Sequence, residues 1–493
     1  MQANSTVDFL VQAARDPVLR RRIAIQTRAH TLTYEHLLDQ LERVAGALMQ
    51  RGVRRGEPVA LLAGRSAEMI TGLFGILAAG GVACVLEERA APPDLAHKIA
   101  RGSIQWLLAD AEHLQSAGEL GASHVLPLRQ AALGHRNRVS DLTPADDALL
   151  LFTSGSTGSA KGVLLTHGNV LSNAAGVAER TELTPDDRLL HVMPLAHTNG
   201  INNQLVAPFS RGAAVVLIER FRAELFFDAV AAYRPTCLTG VPTMYSRLLS
   251  HTPPREAMRG VRVARVGAAP ISVDLMRAAE AHLGVPMVLS YGLSEATCTS
   301  AMNPLNARRE GSVGTALPGQ RIAIFRPGTL QPIAAGGEGE VCIAGPSVMK
   351  AYVPAEAAAD GLTIEGGWLR TGDVGRLDSD GYLTITGRIK DIIIRGGENL
   401  SPGAIEAAIG THPAVAACCV VGKPDADLGE VPVAYVIVRP GQQAPAPADL
   451  QALVNDRLSR HHVPQRVIYI DSFPENQMGK IDRAALKQAV AAQ

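Results

Sequence analysis

A chain of 493 residues exceeds what one hydrophobic core can organise, since single cores stop growing at about 250–300 residues, so at least two domains are expected. Lys plus Arg and Asp plus Glu both number 47, which excludes a whole-chain electrostatic drive toward nucleic acid or an anionic membrane. Six scattered cysteines without a CxxC pair exclude a disulfide framework and a thiolate zinc site, and fit free thiols in a reducing cytoplasm.

The first twenty residues lack the basic-then-apolar order of a secretory signal. No apolar run reaches the 18 residues that suggest a membrane span; Met69–Leu86 comes nearest, and its glycines and alanines predict a buried helix followed by a strand. In chain order, strands are predicted over 58–64, 82–88, 213–219 and 235–241, with helices over 66–81, 221–233 and 242–250. Strand–helix alternation of this kind predicts parallel sheets with helices on their faces. From Arg321 the texture changes. RIAIF, GEVCIAG and YLTITG, separated by Gly, Pro and Asp, predict antiparallel strands. After Asp391 a compact α+β tail is expected: a helix over 402–411, strands AACCVVG and VPVAYVIV, a Pro/Ala/Gln-rich loop over 439–448, a helix over 449–460 and the strand RVIYI.

The sharpest segment is residues 149–167. A buried apolar strand runs into Thr153-Ser154-Gly155-Ser156-Thr157-Gly158-Ser159-Ala160-Lys161-Gly162. Small residues let backbone N–H groups wrap a polyphosphate, the hydroxyls can donate to its oxygens, and Lys161 adds a point charge. Gly162 follows the lysine where the ordinary P-loop places Ser or Thr for magnesium, so this is a phosphate loop of another kind. A plain Gly/Ser linker is the bland alternative, and it seldom separates two β-rich apolar runs.

With this loop the chain resembles the adenylate-forming (AMP-binding) superfamily, in its acyl-CoA synthetase branch. Further motifs follow in that superfamily's order: Tyr291-Gly292-Leu293-Ser294-Glu295, Thr371-Gly372-Asp373, Gly387-Arg388-Ile389-Lys390-Asp391, Arg395-Gly396-Gly397-Glu398-Asn399 and Pro474-Glu475-Asn476-Gln477-Met478-Gly479-Lys480. The resemblance covers the chain from about Leu32 to its end. It implies an α/β fold: a large N-terminal domain (1–387) of parallel-rich sheets flanked by helices with a small β-barrel-like subdomain, a hinge (388–390), and a small mobile α+β C-terminal domain (391–493).

The implied activity is that of an ATP-dependent carboxylic acid–CoA ligase. An acid and ATP give acyl-AMP and pyrophosphate, and CoA then displaces AMP. Thr153, Ser154, Gly155, Ser156, Thr157, Gly158 and Lys161 would hold the phosphates, with Ser294 nearby. Glu295 would hold Mg2+, a hard ion suited to carboxylate and phosphate oxygens. Alone, Glu295 would read as a helix-N-terminal acid facing the dipole. Asp373 is read at a strand end, accepting from the ribose diol with help from Arg388; a lone Gly-Asp is more often a turn. Gly267, Ala268 and Ala269 would line the adenine, and Tyr291 could stack on it. Lys480 would stabilise the adenylation transition state, against the ordinary fate of a solvated lysine.

Lys390 would be the pivot on which the C-terminal domain rotates between the two steps. Gly396 and Gly397 would let a pantetheine arm pass, or would simply turn a hairpin. Arg395 and Lys423 are candidates for the 3′-phosphate of CoA. His197 matches the superfamily's gate near the acid's carboxylate, and Ala196 departs from the aromatic common before it, which widens the expected pocket. Asn199, Asn202, Asn203 and Gln204 follow; they either face a polar substrate or bond one another and the backbone. Gly240, Met244, Thr297 and Cys298 would complete the lining. The partner expected is a small carboxylic acid, with a carrier-protein thiol as the alternative acceptor to CoA, no nucleic acid, and a monomer or homodimer. A decayed, scaffolding relative would have lost Lys161, Glu295, Asp373, Arg388 and Lys480, all of which are present.

Overall fold

The structure, a computed structural model, describes residues 3–154, 160–358, 362–474 and 481–491. It divides into two compact units: Met1–Ala268 with Leu275–Ile322 and Ile343–Arg370, and Ala269–Asp274 with Ala323–Cys342 and Thr371–Gln493.

The first unit is α/β, as the alternation predicts. Its nine-stranded sheet has a parallel centre in which Met287–Gly292, Val263–Val266, Cys237–Gly240, Arg188–His191, Ala214–Leu217 and Ile23–Gln26 lie side by side. Antiparallel strands close both edges, Thr299–Met302 and Thr315–Ala316 on one and Thr31–Thr33 on the other. A seven-stranded sheet places Pro58–Leu62 between Val82–Val85 and Trp106–Ala109, all parallel. The helix Ala67–Ala78 shows how sequence sets these crossovers. The Ser66 side chain caps it by accepting from the Met69 N–H, and every residue except Glu68 is buried. The Met69–Leu86 stretch is thus a buried helix and a buried strand. Among the described residues no helix is long and apolar enough to cross a membrane.

A third, smaller sheet holds Arg321–Phe325, Glu338–Ala344, Ile364–Glu365, Trp368–Leu377 and Leu383–Arg388, with Trp368–Leu377 antiparallel to its last two partners.

The tail of the second unit has its own sheet, built on the long antiparallel pair Val415–Asp425 and Gly429–Val438. Period-two alternation buries both faces. Val420, Ala434 and Val436 pack with Leu450 and Val454 of the helix Pro447–Arg457. Cys419, Val421, Val433 and Tyr435 pack with Leu486 and Val490 of a terminal helix, Arg483–Ala491, that the sequence reading did not place. Its anchor is Arg483, whose guanidinium grips both oxygens of Glu406 at 2.8 and 3.0 Å.

Candidate active site

The phosphate-loop sequence joins two strands that pair back on each other. Asp147–Ser154 and Ala160–Thr166 form an antiparallel hairpin in which Thr153 faces Lys161 and the Ser154 backbone faces Ala160. Gly155, Ser156, Thr157 and Gly158 lie outside the described residues, as does Lys480. The sequence places Lys161 in the loop; the structure places it inside the second strand, with its side chain buried.

The segment Tyr291–Glu295 starts inside the strand Met287–Gly292 and runs out of its end. Gly292 is needed there, because a Cβ would stand 1.7 Å from the Cys298 carbonyl oxygen. The chain then makes one tight turn, Ser294–Ala296, and re-enters the sheet at Thr299. Glu295 therefore belongs to a three-residue turn and not to a helix, and no helix dipole holds it. Its holder is Tyr352, whose hydroxyl donates to Glu295 Oε1 at 2.8 Å. Burial first, and the Glu295 charge second, push the Tyr352 phenol well above its ordinary range, so it remains a donor. Thr297 sits at φ +67°, a conformation costly for a β-branched residue, and its hydroxyl bond to the Ser347 carbonyl (2.6 Å) pins it. Ala268, directly after the strand Val263–Val266 and Gly267, is likewise left-handed at φ +68° and exposed. Strained, non-glycine backbone at Ala268, expected beside the adenine, and at Thr297, expected in the acid pocket, is the kind of strain that gathers at functional sites.

In the second unit Asp373 lies within the ten-residue strand Trp368–Leu377, not at a strand end. Its register partner is Arg388, the last residue of Leu383–Arg388. The two side chains meet at 2.7 Å, with Asp373 only 4% exposed and Arg388 54%. The Asp373 N–H donates to Thr371 Oγ1, and the Gly372 N–H donates to Glu340. Ala269 also belongs to this unit. Lys390 is exposed in the turn Ile389–Asp391. Gly396 and Gly397 are the two centre residues of a tight hairpin, both left-handed (φ +58° and +85°), with Arg395 facing Glu398 across it. Arg395 itself donates to the His461 carbonyl at 2.6 Å, so its guanidinium fastens the turn Arg460–His462.

Asn199–Val206, expected beside the acid, forms a π-helical segment, a form that often marks functional positions. His191 holds it in place. Its Nε2–H donates to the Gly200 carbonyl (2.9 Å), and its Nδ1 accepts from Arg65 (2.9 Å). Burial, reinforced by Arg65, keeps this imidazole neutral, well below its ordinary value. His197 Nε2 stands 3.8 Å from Glu87 Oε1. Three of the four amides bond within the protein. Asn202 donates to Asn173 (2.7 Å), Asn203 donates to Thr299 (2.9 Å), and Gln204 accepts from the Val192 N–H (3.0 Å).

The sequence reading missed Tyr352 and Arg265. Nothing local to Tyr352 announces it. Arg265 carries one signal, a charge inside the otherwise apolar strand Val263–Val266.

The residues present suit a magnesium–triphosphate ligand. Among the described residues no cluster of three or more His, Cys, Asp or Glu could cage a metal. A magnesium ion on phosphate oxygens needs only one or two carboxylates, and Glu295 offers one already oriented by Tyr352.

The AMP-binding enzyme family model matches residues 10–353, and that of the AMP-binding enzyme C-terminal domain matches residues 404–480. The chain is similar to a feruloyl-CoA synthase of Amycolatopsis sp, at 33% identity over 96% of this chain and 98% of that protein. It is similar to an indoleacetate–CoA ligase of Aromatoleum aromaticum, at 33% identity over 95% of both chains. Among solved structures, ATP-bound MatB from Rhodopseudomonas palustris superposes with a TM-score of 0.91 at 31% identity, over 100% of this chain and 99% of that one.

Proposed function

The chain belongs to the AMP-binding enzymes, and on that footing we propose how its residues divide the work of acid–CoA ligation through an acyl-adenylate. The activity is that of an AMP-forming acid–thiol ligase acting with ATP, magnesium and CoA on a small carboxylic acid. Bringing a carboxylate onto the α-phosphate joins two anions, so the protein must neutralise charge and fix an in-line approach. The substrate acid is already ionised at neutral pH and needs no base.

The observation that carries this division is the Asp373–Arg388 pair. Two strands place a buried carboxylate and a half-exposed guanidinium side by side, an acceptor and a donor matched to a ribose diol. Glu295, steadied by Tyr352, takes the magnesium side of the triphosphate. Thr153, Ser154, Gly155, Ser156, Thr157, Gly158 and Lys161 take the phosphates. Gly267, Ala268, Ala269 and Tyr291 take the adenine, with Gly292 and Ser294 shaping the turn beside them. His197 guards the acid's carboxylate, and Lys480 completes the adenylation step. Lys390 serves as pivot between a C-terminal domain over 391–493 and the chain before it. Gly396 and Gly397 lie on the thiol's path, and Arg395 supports that path by fastening the turn at 460–462. A cytoplasmic setting goes with this reading, since the six cysteines form no disulfide among the described residues. The CoA thiol is preferred over a carrier-protein thiol because both curated relatives above are CoA enzymes.

The test is pyrophosphate release with ATP, magnesium and a panel of acids, with and without CoA, followed by mass spectrometry of the product. CoA-dependent turnover and an acyl-CoA mass are expected. Pyrophosphate release indifferent to CoA would instead favour a carrier-protein acceptor. Lys480→Ala should lose adenylation by orders of magnitude yet retain thioester formation from supplied acyl-adenylate, and Lys390→Pro should do the reverse. Equal loss of both half-reactions in either variant counts against the division proposed.

A further inference from the structure

Strand Val263–Val266 lies inside the parallel centre of the nine-stranded sheet, with Cys237–Gly240 on one side and Met287–Gly292 on the other. Alternate residues of a strand share a face. Arg265 therefore shares its face with Val263, and in register with Thr239 and Val288. Val263, Cys237 and Val288 all belong to the main apolar core. The guanidinium of Arg265 thus projects from the core face of the sheet, at 3% exposure. Its Nε and Nη1 have no hydrogen-bond partner, and among the described residues it forms no ion pair. The groups that act on its charge are Cys298, Cys237 and Tyr245, none an ordinary anion at neutral pH.

Other arginines of this unit show the contrast. Arg65 spends its donors on the carbonyls of Met193, Ile218 and His191 and on the His191 ring. Arg262 grips both oxygens of Asp187 at 2.7 and 2.9 Å. Arg180 reaches the carbonyls of Met302 and Ala316 and the Thr315 hydroxyl. A buried guanidinium cannot shed its proton to escape the cost, so it is normally paired.

The surroundings of Arg265 connect it to the acid side. Cys298, on whose thiol its charge acts, lies 4.0 Å from the Thr299 hydroxyl, and that hydroxyl accepts from Asn203 at 2.9 Å. Asn203 lies in the π-helical segment, which begins two residues after His197. The polar atoms here are also incompletely served: Asn203 Oδ1 and Ser300 Oγ are buried without a partner. A cation and amides share this neighbourhood, and among the described residues no carboxylate pairs with the cation, Glu87 standing instead at His197.

We propose that Arg265 determines acid specificity by pairing with a second oxyanion, a carboxylate or sulfonate, carried on the acyl part of the substrate acid. This rests on the acid–CoA ligase reading. The first carboxylate is adenylated at the His197 end; the second completes the ion pair that Arg265 lacks.

The experiment uses the full chain. Pyrophosphate release with ATP, magnesium and CoA is compared for butanoate, for α,ω-diacids of two to six carbons and for 3-sulfopropanoate. Binding of the same diacids and of the sulfonate is measured in parallel by calorimetry without CoA. For at least one dianion the expected kcat/KM advantage over butanoate is about 10,000-fold, the scale of a buried site that otherwise leaves a polar group unpaired. Whether a diacid or the sulfonate holds that advantage tells the two oxyanions apart. Arg265→Met should abolish the advantage through KM, leave butanoate turnover unchanged or improved, and abolish dianion binding. Arg265→Lys should keep part of it. Equal use of butanoate and dianions by the wild type, equal losses for all acids in Arg265→Met, or no dianion binding would overturn the proposal while butanoate turnover left the ligase reading standing. Dianion binding that depends on Arg265, without pyrophosphate release from any acid, would support the subsite and sink the ligase reading.

Discussion

Arg388 ends a strand with its guanidinium half in water and an aspartate 2.7 Å away, whereas Arg265 sits in the middle of a parallel sheet, 3% exposed and without an ion pair among the described residues. The first arrangement is cheap. A half-exposed arginine keeps much of its hydration, and its pairing with Asp373 adds orientation more than stability. The second is costly, because a charge taken out of water needs a partner to offset the desolvation. His167 shows what a buried base does when it has a choice. It is buried, accepts from the Thr6 N–H (3.2 Å) and stands 2.8 Å from the Thr6 hydroxyl, and its Nε2 has no partner. Burial pulls its pKa down to about 4, so it stays neutral. Arginine has no such exit, which is why an unpaired one in the core points outward, to a ligand.

The comparison can be broken at four places. Asp373→Ala should raise KM for ATP by about 100- to 1,000-fold, the loss of two charge-assisted hydrogen bonds. Thermal stability should change little, because Arg388 remains hydrated; steady-state kinetics and calorimetry read the two effects separately. A large fall in Tm would show Asp373 to be structural instead.

His167 gives the second. Its folded pKa of about 4 lies below the unfolded value of 6.5, so the unfolded chain binds the extra proton first. Stability is full above 6.5, falls as pH drops from 6.5 toward 4, and levels below that. The loss is about 3 kcal/mol from this residue. Denaturant unfolding across that window should show the slope, and His167→Gln should flatten it.

The third is Arg265→Met, which should stabilise the folded protein by about 1–4 kcal/mol by replacing an unpaired buried charge with an apolar side chain. A lower Tm would mean that the guanidinium makes favourable contacts and that the contrast with Arg388 is false. The smallest effect is expected from Tyr352→Phe. Losing one hydrogen bond to Glu295 should slow adenylation about tenfold and raise the magnesium concentration for half-maximal rate. An unchanged magnesium dependence would remove Tyr352 from the site.

The segments proposed for the nucleotide can be picked out in the sequence. Each is a short contiguous motif whose chemistry is local: a Ser/Thr/Gly loop, a tight turn carrying Glu295, a strand carrying Asp373. One misplacement was also local. Asp373 is read at a strand end after Gly372, yet Gly372 takes φ +68° without interrupting the strand. The bland alternative for Glu295, an acid at a helix N-terminus, is the one the structure removes, because the chain turns back into the sheet after three residues. The terminal helix Arg483–Ala491 escaped notice because its apolar face, Leu486 and Val490, is short and reads as one only against the sheet it covers.

By itself the sequence determined the α/β alternation and the order of the motifs, since periodicity and turn residues act over a few positions, and the adenylating chemistry came through the family resemblance those motifs carry. Only the tertiary structure decided which groups are served. Tyr352 meets Glu295 across 57 residues, and Asn203 meets Thr299 across 96. Arg265 is defined by what does not reach it. Satisfaction of a buried polar group is a property of the three-dimensional neighbourhood, and no window of the chain contains it.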